Sequence, residues 1–179
     1  MTAVMERQKK IESKFNKQKA IETILYLANK KGSINKMSLY KFLFFADIEH
    51  LNRYGRPIIG DYYVAMQRGP VPSHVKNLLE KDKNTEFEIH GYMVNATRKP
   101  DTDYLSISDM EVLDEIYNEL QEYSPKELSD LSHQHPAWQK ARKKNIFRNN
   151  NRLDYRDTIR NENIELIEDL EENSKYIMI

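Results

Sequence analysis

ADIEHLNRYGRPIIGDYYVAMQRGPVPS, residues 46–73, decides the reading of this chain. It holds three of the five glycines and three of the six prolines in one helix-to-strand-to-loop passage. Upstream, the helix extends back to about Lys36. Leu39, Phe42, Leu43, Ala46 and Leu51 line one face, and Tyr40, Phe44, Phe45 and Ile48 widen the apolar arc. A helix apolar over so much of its circumference is a central one. Gly55 is placed to cap it just past Tyr54, and Pro57 prevents its continuation. Ile58 to Gly60 then reads as a turn and Tyr62 to Met66 as a strand. Two prolines in Arg68 to Ser73 each remove a backbone donor, which predicts an ordered loop or an exit at a sheet edge. Ser73 is the expected N-cap of a short helix to about Glu80.

Before this passage, Ile21, Ile24, Leu25 and Ala28 recur at helical spacing within Lys17 to Lys30, closed by Gly32. After it, Phe87 to Asn95 and Asp103 to Ile107 read as antiparallel strands joined by a polar loop containing Pro100. Ser108 with Glu111, and Ser124-Pro125 with Glu127, are capping-box signatures of two more helices. The second breaks near Pro136, and Ala137 to Lys144 forms another short helix. Asn149 to Asn151 is a loop, and Asn161 to Asn173 is an acidic helix with Ile164, Ile167 and Leu170 apolar. The sum is an α+β fold, mostly α, with six or seven helices around a small antiparallel sheet of about three strands. Residues 17–179 read as a single domain and 1–16 as an N-terminal extension.

At 179 residues the chain is long enough to bury a core without disulfides or metals. Cysteine is absent, which excludes disulfides and thiolate zinc sites and fits a cytoplasmic protein. The longest apolar run is Phe42 to Ala46, far short of the ~20 residues that span a membrane. A formal net charge of zero conceals an uneven distribution. Lys140 to Arg160 holds eight basic residues against two acidic, and Asn161 to Ile179 six acidic against one basic. Two readings follow: the acidic end neutralises the basic stretch, or the basic stretch neutralises nucleic-acid phosphates.

Asp47 and His50 are three residues apart on one helix and project from the same side. They could be two metal ligands, an acid–base pair, or members of a polar network holding the helix to the following loop. Ferritin-like sites require two Glu-x-x-His helices and further carboxylates, and zincins H-E-x-x-H, so either metal set is incomplete here. In LSHQHPAW, residues 131–138, His133 is placed to cap or cross-link a helix end, and His135, before Pro136, is expected to be exposed. Trp138, the only tryptophan, is a core anchor whose loss would cost ~3–5 kcal/mol, or else an exposed binding hot spot. The chain has no G-x-G-x-x-G, no G-K-[ST] and no G-x-S-x-G. These absences favour a protein that is not an enzyme and needs no metal or cofactor.

KFLFFADIEHLNRYGRPIIGDYYVAMQRGPVPSHV, residues 41–75, followed by LSHQHPAW, resembles the Panacea domain of SocA-like antitoxins and phage-associated proteins. The resemblance spans roughly Ala20 to Trp138 and is expected to continue to Ile159. Family motifs map to Asp47, His50, Arg53, Gly60, Asp61, Tyr63, Gly69, Pro70, Pro72, Ser73, His133 and Trp138. The resemblance implies an antitoxin of a type II toxin–antitoxin pair, which neutralises a toxin encoded beside it by direct protein contact. These motif residues are then structural or partner-binding, with no catalytic or metal role. One branch of the family implies a different role, an adaptor that delivers its toxin to a ClpXP-type protease. Outside the resemblance, Asp47, His50 and His133 keep a metal-dependent enzyme open, and the basic stretch from Lys140 to Arg160 keeps nucleic-acid binding open. Some members of the family carry an added DNA-binding domain, for which the N-terminal extension here is too short.

Overall fold

The computed structural model describes residues 11, 13–81, 86–144 and 151–174. Helix α1 (Lys17–Lys31) starts at Asn16, whose side chain accepts from the Lys19 amide at 3.0 Å. Strand β1 (Ser33–Asn35) leads directly into α2 (Lys36–Tyr54), which is capped by the Asn35 side chain accepting from the Met37 amide. Gly55 is left-handed, and its amide closes α2 on the Leu51 carbonyl at 2.9 Å. Strands β2 (Tyr63–Met66) and β3 (Gly69–Pro72) form a hairpin, and α3 (Ser73–Glu80) follows without a break. The prolines of the Arg68–Ser73 passage therefore sit in a short two-stranded sheet.

Two expectations change in the next segment. The stretch from Phe87 to Asn95 is a hairpin, β4 (Phe87–His90) and β5 (Met93–Ala96), and not one strand. Gly91 has φ 61° at the first turn position, where tight hairpin turns of type II′ place glycine. β5 also pairs with β1, so the three-stranded antiparallel sheet runs β1-β5-β4, with Ile34 opposite Val94. Asp103 to Ile107 contributes no strand. The Asp101 carboxylate accepts from the Asp103 amide at 3.1 Å and winds Thr102–Tyr104 into a 3-10 turn.

Helix α4 (Ile107–Leu120) begins two residues earlier than its sequence signature suggests. Its capping box is Ser106 with Asp109, in place of Ser108 with Glu111. Asp109 is fully buried and ion-paired to Lys19 and Arg56, so the cap also ties α4 to α1 and to the loop after α2. Helix α5 (Pro125–His133) has the expected Ser124–Glu127 box with proline in its first turn. Helix α6 (Pro136–Lys144) uses Pro136 as its first residue. Two 3-10 turns precede α7 (Glu165–Ser174), which occupies the later part of the expected acidic helix. The loop expected at 149–151 lies largely outside the described residues.

The breadth of α2's apolar arc has a physical outcome: the helix is a wall shared by two cores. Leu39, Phe42, Leu43 and Ala46 join α1, α3, α4 and the three-stranded sheet. Phe44, Ile48 and Leu51 face a second cluster built from Tyr63, Ala65, Ala137, Leu153 and Tyr155, with Ile11. The charge asymmetry resolves the same way at the C-terminal end. Arg156 pairs with Glu171, and Arg160 lies 3.6 Å from Glu162 and 3.3 Å from Glu49. Lys140 pairs with Asp157 at 2.5 Å. The basic stretch is thus at least partly neutralised by the protein's own carboxylates. Among the described residues, no helix is long and apolar enough to cross a membrane.

Candidate functional site

Asp47 and His50 leave the same helix one turn apart and enter different networks. Asp47, 1% exposed, accepts from the Ile58 and Ile59 amides at 2.8 and 3.1 Å and from the Tyr63 hydroxyl at 2.8 Å. Burial pushes its carboxyl up to about 7, against the pull of these three donors. His50 is also buried, with Nδ1 2.7 Å from the Arg56 carbonyl. A carbonyl only accepts, so Nδ1 carries the proton. Nε2 lies 3.0 Å from the Ser108 hydroxyl and 3.2 Å from the Asp109 carboxylate, and burial, the largest influence, lowers the pKa of the ring. Both residues therefore hold the loop that follows α2, Asp47 through Ile58 and Ile59 and His50 through Arg56, and their remaining partners lie on different elements, Tyr63 of β2 and Ser108 of α4. Arg53, on the outer side of α2, pairs with Glu49 at 2.5 Å and with Glu115 of α4 at 2.7 Å.

Asp61 supplies the cap that sequence reading assigns to Ser73. Pro72 occupies the N-cap position of α3 and has no side-chain acceptor to offer. The buried Asp61 carboxylate instead accepts from the His74 and Val75 amides at 3.1 and 2.9 Å and contacts His74 Nδ1 at 2.8 Å. It satisfies amides that a helix start leaves open, and an anion there suits the helix dipole. Gly60 makes this path possible. At φ 70° its missing Cβ would stand 2.5 Å from the Lys14 carbonyl oxygen. Tyr155 completes the arrangement, donating its hydroxyl to the Asp61 carbonyl at 2.5 Å while its ring meets Tyr63 edge-on.

Gly69 and Pro70 meet at Lys41, which no sequence motif singles out. Its side chain is fully buried, and Nζ donates to the Pro70 carbonyl at 3.0 Å. Burial alone pulls its pKa down to about 7. Gly69, with φ 99°, leaves room for this chain: a Cβ there would lie 2.7 Å from Lys41 Cε and would overlap Ser132 Oγ. His133 stacks on Trp138 with ring centroids 4.1 Å apart, and the indole N–H donates to the Met66 carbonyl at 3.1 Å. Trp138 is half-buried, fixing α6 against β2. His135 is not exposed as expected. It packs edge-on against Phe44, and its Nδ1 accepts from the Ala137 amide at 3.2 Å, turning the α5–α6 corner. The one sequence signal for Lys41 is a lysine set between Tyr40 and Phe42 inside an otherwise apolar arc.

A family model described as antitoxin SocA-like, Panacea domain, matches residues 39–139. The chain belongs to this family. No curated protein and no solved structure matches it. The twelve residues that the sequence resemblance singles out all fall inside the matched span, whose last residues are those that anchor α6. Segments outside the match nevertheless complete the fold: α1 supplies one side of the larger core, and Leu153 and Tyr155 close the smaller one. Among the described residues of this Panacea-domain protein, no three histidine, aspartate or glutamate side chains are placed to hold a metal ion.

Proposed function

We propose that this protein is the antitoxin of a type II toxin–antitoxin pair and neutralises a toxin encoded beside it by direct protein–protein contact. Membership of the SocA-like antitoxin family carries this reading. The geometry supports it in a second way. Asp47, His50, Asp61 and Tyr63 are buried and hydrogen-bonded within the protein, so the motif's polar side chains have internal roles. A fold organised like this leaves its exposed surface free to suit a particular partner. Occlusion or distortion of the toxin's active site then needs an interface of standard size, roughly 1,600 Å2 in total.

The test is co-expression with the product of the adjacent gene. The expected result is that the neighbour alone arrests growth, co-expression restores it, and the two proteins co-purify as an inert complex. Growth restored by loss of the toxin, only when a ClpXP-type protease is present, selects the adaptor role instead. A neighbour that is harmless alone and never co-purifies defeats both.

A further inference from the structure

A surface cavity of about 290 Å3 opens between the first turn of α2, the β2–β3 turn, α3 and the tip of the β4–β5 hairpin. That is the lower edge of the range for small-molecule pockets and has room for the side chains of a partner segment. Its inner wall is apolar, formed by Met37, Met66 and Val71. Its rim is cationic. Lys36 and Lys76 converge on Glu80, at 3.1 and 2.5 Å, while Arg68 makes no ion pair among the described residues.

Tyr40 lines the same cavity and is 2% exposed, and its hydroxyl has no hydrogen-bonding partner among the described residues. Burial and the nearby Glu80 carboxylate both raise its pKa, so it keeps its proton and is a donor in waiting. A buried hydroxyl without a partner destabilises a fold. Phenylalanine would fill the same space without that penalty, so the hydroxyl calls for an acceptor from outside the chain.

We propose that this cavity is the socket in which the toxin docks, receiving an acidic, apolar-tipped segment of the toxin chain. An apolar side chain packs on Met37, Met66 and Val71, a carboxylate pairs with Arg68, and an oxygen acceptor meets the Tyr40 hydroxyl. Such a seat, a pocket with an apolar wall and one charged clamp, is where binding energy concentrates at protein interfaces. The inference rests on the antitoxin reading and locates its contact surface at one end of α2.

The experiment is calorimetric titration of the adjacent-gene toxin into wild type, Tyr40→Phe, Arg68→Gln and Arg160→Gln. Arg160 pairs with Glu49 near the far end of α2 and controls for charge alone. Arg68→Gln is expected to weaken binding about tenfold, and Arg160→Gln to leave it unchanged. Tyr40→Phe is expected to weaken binding about fivefold while its melting temperature stays equal to wild type or rises. Wild-type affinity in both cavity variants overturns the socket and leaves the antitoxin reading standing. A Tyr40→Phe protein that melts earlier also overturns it, because the hydroxyl then serves the fold. A toxin that does not bind wild type overturns the socket together with the reading on which it rests.

Discussion

The carboxylate of Asp47 accepts from the hydroxyl of Tyr63 at 2.8 Å, joining the middle of the central helix to the first strand of the hairpin that follows it. With the Ile58 and Ile59 amides on its other oxygen, Asp47 fixes the whole turn between them. Asp47→Ala strands three buried donors and should cost on the order of 3–5 kcal/mol. Asp47→Asn keeps an oxygen for the two amides and is uncharged, like the protonated acid toward which burial shifts this carboxyl. It should cost about 1 kcal/mol. Urea denaturation of both variants checks the contrast, and equal losses would show that charge, not hydrogen bonding, holds the turn.

Gly69 is required by its neighbours as well as by its backbone. Its φ of 99° disfavours any side chain, and a Cβ would press on Lys41 and Ser132. Gly69→Ala should destabilise by about 3 kcal/mol or more. Adding Ser132→Ala removes one of the two clashing groups, so the double variant should lose less than the sum of the singles. Strict additivity in a double-mutant cycle would refute the Ser132 contact and leave backbone strain and Lys41 to account for the loss.

These two sites mark how far local sequence rules reach. Element types follow from them, because α2's apolar arc, Gly55 and the Ser124-Pro125 box act within a few residues. Where a partner comes from afar, they mislead. Ser73 has the form of a cap, yet the acceptor for α3 is Asp61, thirteen residues from the His74 amide it holds. Ser108 has that form too, but Ser106 takes the role because Asp109 is also pulled in by Lys19 and Arg56. The stretch from Phe87 to Asn95 reads as one strand until Gly91 is weighed as a turn residue. Lys41 is invisible for a related reason. Its acceptor is a proline carbonyl twenty-nine residues away, and no local pattern encodes that pairing.

Trp138 belongs to the same long-range class. Its indole N–H reaches Met66 on β2, and its ring covers His133. Trp138→Phe retains an aromatic face for the stack but leaves the Met66 carbonyl without this donor, and should cost about 1 kcal/mol. Trp138→Ala loses the stack as well and should cost about 3 kcal/mol, the low end for a large aromatic because the residue is only half-buried. Thermal melts followed by circular dichroism separate the two, and identical melts would mean that the hydrogen bond carries the contribution alone.

Lys41 gives a pH dependence with a definite sign. Its pKa falls from the ordinary 10.5 to about 7 in the fold because burial disfavours the charged ammonium. Between those values the unfolded chain holds a proton that the folded chain lacks, so this residue makes stability rise with pH across that window. Below about 7 its penalty is present in full, and above 10.5 it is gone. Lys41→Met fills similar space without a charge, though it forfeits the bond to Pro70. Its stability relative to wild type should therefore be greatest at or below about pH 7 and decline steadily toward about pH 10. Urea midpoints of both proteins across that range measure the difference directly. A difference that stays constant with pH would mean that Lys41 remains charged in the fold, held by the Pro70 carbonyl more strongly than burial opposes it.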